Sequence, residues 1–246
     1  MAGLENTVQR LDELPRDTRI LTGRTAYGKD DNGQTRKYTI GEKLGEGGMG
    51  VVYKGIDEQG RAVALKLLDC KEPKFVKALK REAKLMSAIK HPNIRQVFDF
   101  CENACLEGNG QEPMPMLVME YIPGQALDVT KVNSSNFCKY FMQMADGIEF
   151  LHSQGCIHRD IKPENFIISD DEQVKLCDFG ISRIVDEHTG LIVSGLTVDG
   201  TVQKDIAGTL KYLPKNIEEL KNADKRTDLY SLGLVLYQMR LGYAKK

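Results

Sequence analysis

His158-Arg159-Asp160-Ile161-Lys162-Pro163-Glu164-Asn165 and, a little further on, Asp178-Phe179-Gly180 decide how this 246-residue chain is read. Upstream, residues from about 136 through 152 read as a helix; downstream, 166–169 and 174–177 read as the two strands of a short hairpin. The eight residues from His158 to Asn165 therefore form a loop between helix and hairpin, and Asp178 stands at the end of a strand. Most of the chain's concentrated polar chemistry sits at that junction.

Working toward the N-terminus, Lys66 interrupts the apolar run Ala62-Val63-Ala64-Leu65-Lys66-Leu67-Leu68. Strand alternation puts Ala62, Ala64, Lys66 and Leu68 on one face and Val63, Leu65 and Leu67 on the other. An ammonium in such a strand needs an anion, because an unpaired buried charge is costly. Glu82 is the expected partner: it falls in the middle of the stripe Phe75, Leu79, Met86, Ile89 of a helix that follows Pro73. Lys71, Lys74, Lys77, Lys80, Arg81 and Lys84, around the same helix, read as a solvated basic face. Earlier still, Gly45-Glu46-Gly47-Gly48-Met49-Gly50 fits G-x-G-x-x-G. Because β-prone Val51-Val52-Tyr53-Lys54 follows it rather than a helix, the glycines read as a flexible hairpin lid over phosphates and not as a dinucleotide-binding turn. Strands are expected at 38–44, 51–56, 62–68, 95–100 and 116–121, with 101–115 an irregular insertion. A final apolar helix begins at about Asp228.

In order and spacing, the glycine cluster, Lys66, Glu82, the His158–Asn165 loop and Asp178-Phe179-Gly180 resemble the eukaryotic-type (Hanks-type) protein kinases. Lys162, two residues after Asp160, is similar to the serine/threonine branch. The resemblance runs from about Tyr38 to the C-terminus. It implies an α+β, two-lobed protein-kinase-like fold: residues 1–37 an N-terminal extension and linker, 38–119 a small nucleotide-binding lobe of antiparallel sheet plus one helix, and 120–246 a mostly helical large catalytic lobe. The implied activity is ATP- and Mg²⁺-dependent transfer of a γ-phosphoryl group to serine or threonine hydroxyls of protein substrates. The alternative is a non-catalytic kinase-like binding or regulatory module.

By the same resemblance, Gly45, Gly47 and Gly50 let backbone N–H groups approach the phosphates, and Val52 and Ala64 from above with Ile167 from below sandwich the adenine. The backbone of Glu120-Tyr121-Ile122 hydrogen-bonds the base, with Met119 at the back of the pocket. Lys66, held by Glu82, contacts phosphates; Asn165 and Asp178 hold Mg²⁺; Asp160 accepts or orients the substrate proton; Lys162 offsets γ-phosphate charge. Val97, Met86, Phe179 and His158 match an apolar stack that couples the lobes. Asp228 braces the backbone around His158 and Arg159. Thr189, Ser194, Thr197 and Thr201 are candidate phosphate acceptors, Asp205 stands where many relatives carry a phosphorylated threonine, and Gly208–Pro214 resembles a peptide-binding segment without the usual A-P-E ending.

Composition sets the remaining bounds. Hydrophobic residues make up 41% and charged ones 28%, and 34 Lys+Arg balance 35 Asp+Glu for a net charge of −1, which gives no global pull toward nucleic acid or an anionic membrane. Six cysteines without a C-x-x-C pair, and no signal peptide, point to a reduced, cytoplasmic setting. No stretch approaches a membrane span; the densest, 229–241, is broken by Ser231, Gln238 and Arg240. Only seven residues follow Met239, so the resemblance implies that the last helices of the large lobe are missing. Exposed apolar surface of that kind invites either a partner that covers it or aggregation.

Overall fold

The computed structural model describes residues 21–30, 33–47, 50–69, 72–107, 113–178, 212 and 225–244. Six strands form a closed antiparallel barrel in the order β1-β2-β3-β4-β6-β5. They are β1 (Thr25–Lys29), β2 (Thr35–Gly47), β3 (Gly50–Asp57), β4 (Ala62–Leu68), β5 (Val97–Leu106) and β6 (Met114–Glu120). Helix α1 (Pro73–Ala88) lies between β4 and β5 in the chain and packs on β5. A second, three-stranded sheet follows, β7 (Gly124–Ala126), β8 (Phe166–Ser169) and β9 (Val174–Leu176), together with α2 (Phe137–Ser153) and α3 (Lys225–Ala244).

Alternation along β4 divides the core as expected. Val63, Leu65 and Leu67 enter the barrel interior with Tyr38, Ile40, Tyr53 and Met116. Ala64 and Leu68 face the other way and join Leu79, Ala83 and Met86 of α1 in a cluster that continues to Met144 and Ile148 of α2. Pro73 opens α1, where its missing N–H leaves no hydrogen bond unmade. Helix α3 contributes Leu232, Val235 and Met239 to the same continuous core. No helix among the described residues is long and apolar enough to cross a membrane.

Two expectations need correction. Residues 22–37, read as a linker, contain β1 and the start of β2. β1 pairs with β2 from Thr25↔Thr39 to Lys29↔Thr35 and with β5 at Ala26↔Leu106, which closes the barrel. The strand is inconspicuous because its inward residues are small. Ala26 is fully buried, and a Cβ on Gly28 would stand 2.4 Å from Cys101 Sγ. Likewise 101–115 is not an irregular insertion throughout: β5 runs on to Leu106, with Cys101, Ala104 and Leu106 buried. A register shift between Cys101 and Ala104 interrupts the period-two pattern that would have revealed it.

Leu4, Val8 and Leu11, whose helical spacing before Pro15 reads as one short amphipathic helix, lie outside the described residues. So do Gly48, Met49, Lys71, Phe179 and Gly180, the acceptors Thr189, Ser194, Thr197 and Thr201, Asp205, and all of 208–214 except Tyr212.

Candidate active site

Asp228, fully buried in the first turn of α3, anchors the loop that precedes Asp160. Its Oδ2 accepts the His158 backbone N–H at 2.8 Å and its Oδ1 that of Arg159 at 2.7 Å, while His152 Nε2 meets Oδ2 at 2.8 Å. These bonds hold Arg159 at φ 65, a left-handed conformation that a non-glycine residue seldom adopts unaided. The expected bracing of His158 and Arg159 by Asp228 is therefore present. His158 is buried as a neutral imidazole. Its Nδ1 accepts the Asp160 N–H at 3.2 Å, so its Nε2 must carry the proton it donates to the Cys177 carbonyl at 2.9 Å. Burial holds its pKa below the usual histidine value.

That frame presents Asp160 in a specific state. Its Oδ2 is held by Lys162 Nζ at 2.9 Å and by Asn165 Nδ2 at 3.0 Å, and the same amide donates to the Asp160 carbonyl at 2.7 Å. Its Oδ1 is buried with no hydrogen-bond partner among the described residues. The Cys177 N–H donates to the Asn165 carbonyl at 2.8 Å, which brings the end of the β8–β9 hairpin against the loop and sets Asp178 beside it. Burial also pushes the Cys177 thiol up to about 12, so this cysteine is an inert core residue.

Asp178 reaches across to the barrel. Its Oδ1 lies 3.3 Å from Lys66 Nζ, and the lysine side chain is only 12% exposed. Burial raises the Asp178 pKa, but the charges of Lys66 and Arg95 and the Lys66 hydrogen bond outweigh it and hold the carboxyl below its ordinary range. Around Lys66 the ladder gathers the other expected positions: Val52↔Lys66, Lys66↔Leu117 and Ala64↔Met119. Gly45 pairs with Val52 and Gly47 with Gly50. Gly50 is required by a close approach, since at φ 137 a Cβ would stand 1.9 Å from the Leu67 carbonyl oxygen. From the second sheet, Ile167 is half-buried and paired with Lys175, whose Nζ bonds Glu120 at 2.7 Å; Ile122 is buried.

Two expected contacts are arranged differently. Lys66 pairs with Asp178 and not with Glu82. Glu82 sits partly buried on α1 with Arg159 as its opposing charge, and burial lifts its pKa to about 7. The Glu120 carbonyl, expected to meet a base, already accepts Arg95 Nε at 2.8 Å, and the Glu120 N–H donates to the Gln96 carbonyl. Arg95 was not singled out from the sequence, because a single arginine at the mouth of a strand does not disclose which way it turns.

Asn165 and Asp178 have the oxygen chemistry a hard divalent cation takes. Among the described residues no group of three or more His, Cys, Asp or Glu converges on a metal position. An ion that keeps much of its water and shares phosphate oxygens needs only one or two such protein ligands.

Residues 38–245 match the family model of the protein kinase domain. The probable serine/threonine-protein kinase PknB of Bifidobacterium longum is 35% identical over 216 residues, covering 84% of this chain and 30% of that protein. Serine/threonine-protein kinase pkn2 of Myxococcus xanthus is 35% identical over 220 residues (84% of this chain, 24% of the relative). PknB of Mycobacterium leprae is 34% identical over 215 residues (84% and 32%). The chain thus spans about a third or less of the length of these curated relatives. With the motifs in family order and the Asp160 loop braced on Asp228, the chain belongs to the Hanks-type serine/threonine protein kinases.

Proposed function

We propose that this chain transfers the γ-phosphoryl group of ATP to serine or threonine hydroxyls of protein substrates, in a cleft between a small lobe built on the barrel and a large helical lobe. The observation that carries the proposal is the state of Asp160: one carboxylate oxygen fixed by Lys162 and Asn165, the other buried and without a partner among the described residues. An acceptor held in that way is placed to take a hydrogen bond from an incoming hydroxyl and orient it for attack. Bound Mg²⁺ would supply positive charge that offsets the charge on the migrating group. Asn165 and Asp178 would hold it. Lys66 would then contact phosphate oxygens, Lys162 would offset charge on the γ-phosphoryl group, and Gly45, Gly47 and Gly50 would let the hairpin lid come close. Val52, Ala64, Met119, Ile122 and Ile167 would enclose the base, with Glu120 at its edge.

The Lys66–Asp178 pair fits a resting arrangement. Phosphoryl transfer in this family requires the strand lysine on the helix glutamate and the aspartate on metal. Catalysis would therefore exchange the Lys66–Asp178 contact for Lys66–Glu82. A cytoplasmic, reducing setting belongs to the same proposal, supported among the described residues by the thiols of Cys105, Cys138, Cys156 and Cys177, none of them in a disulfide. The same resting pair also suits the second reading, a binding module that never makes the exchange. The two are separated by incubating the chain with γ-labelled ATP, Mg²⁺ and a serine/threonine peptide mixture. The enzyme reading expects labelled phosphoserine or phosphothreonine from the wild type and a loss of at least a hundredfold in Lys66→Met. Nucleotide binding without any transfer would favour the module.

A further inference from the structure

Behind the same cleft lies a charge that, beyond helping to keep Asp178 ionised, has no part in the phosphoryl transfer proposed above. Arg95 is only 8% exposed. Its backbone N–H is fixed to the Leu176 carbonyl at 2.9 Å and its Nε to the Glu120 carbonyl at 2.8 Å. The side chain lines a narrow cavity with Ala83, Met86, Val97, Leu117, Met119 and Asp178. A guanidinium offers five N–H donors and no acceptor. Among the described residues the bond to Glu120 is the one side-chain hydrogen bond Arg95 makes. The edge of the pocket assigned to the base therefore presents a carbonyl acceptor with a cationic donor group directly beside it.

Purines read that edge differently. Adenine offers an amino group at position 6, a donor, and an acceptor at N1. A 6-oxopurine offers an acceptor at O6 and a donor at N1–H. Donors of Arg95 beside the Glu120 acceptor complement the second pattern and leave the adenine amino group facing N–H donors. A buried donor left without a partner is penalised, and sites that hydrogen-bond a specific group discriminate strongly against its replacement. We infer that Arg95 sets base selectivity, so that the cleft binds 6-oxopurine nucleoside triphosphates, guanosine and inosine triphosphate, at least as tightly as ATP. This rests on the nucleotide-binding reading above.

Equilibrium titration of the full chain with ATP, GTP and ITP in the presence of Mg²⁺ tests it without reliance on turnover. ITP carries the 6-oxo edge without the 2-amino group of guanine, so it isolates the contact in question. The expected result is that ITP and GTP match or exceed ATP in the wild type, and that Arg95→Leu shifts the ITP-to-ATP affinity ratio at least tenfold toward ATP. Should Arg95→Leu fail to give a cooperative thermal melt, the wild-type comparison and Arg95→Lys, which keeps the charge but loses the planar fork, carry the test. A wild type that prefers ATP tenfold or more, or a ratio unmoved by the substitution, overturns the assignment of Arg95 while leaving ATP binding intact. Failure of all three nucleotides to bind the folded wild type overturns this inference and the functional reading together.

Discussion

At Glu82, burial and charge pull in opposite directions. Burial raises the carboxyl pKa to about 7 from an ordinary 4.5, and the Arg159 charge only partly offsets it. Because the native state holds this proton more tightly than the unfolded chain, its contribution to stability is fully present below about pH 4.5. It is lost as pH rises toward 7. Glu82→Gln, which cannot ionise, is therefore expected to melt at the wild-type temperature at low pH and above it at pH 8. A melting-temperature difference that does not grow across that window would contradict the assignment. Asp228 is the opposite case, a buried carboxylate with every contact made. Removing it in Asp228→Ala orphans the His158 and Arg159 N–H groups and is expected to cost about 3–5 kcal/mol in urea unfolding. Asp160, Asn165, Asp178 and Asp228 were legible because each belongs to a run of several residues with fixed spacing. Arg95 and the Lys66–Asp178 pairing were not, since the direction of a long side chain is set by neighbours far away in sequence.

The elements divide along the same physical line. β4, α1, α2 and the β8–β9 hairpin were legible because their apolar residues repeat at the period of the structure they form. β1 was hidden by small inward residues, and the far end of β5 by a register shift, so each lost the periodic signal that identifies a strand. Their pairing nevertheless closes the barrel, and the closure depends on little room at Gly28. Gly28→Val is expected to destabilise the protein by about 1–3 kcal/mol, because the added methyls must displace the Cys101 side chain. The combination Gly28→Val with Cys101→Gly, which removes both the Sγ and the Cβ that the new side chain would meet at 2.4 and 2.6 Å, should recover part of that loss, and a denaturant titration showing no recovery would place the strain elsewhere.

For the molecule as a whole, function rests on bringing together parts of the chain that are distant in sequence. Lys66 from the barrel meets Asp178 from the end of the second sheet, and Asp228 from the last helix fixes the loop that carries Asp160. The barrel side and the helical side share one apolar cluster through Ala64, Met86, Val97, Met144 and Val235, so the groups proposed for catalysis are held by a common core. In the proposed reaction Asp160, with one oxygen unpartnered among the described residues, orients a hydroxyl for phosphoryl transfer. The most direct measurement is the single-turnover rate of transfer to a serine/threonine peptide by the wild type and by Asp160→Asn, each checked for an unchanged thermal melt and nucleotide affinity. The prediction is a fall of roughly 10²–10⁴ in the rate with binding preserved. Equal rates in the two proteins would contradict it.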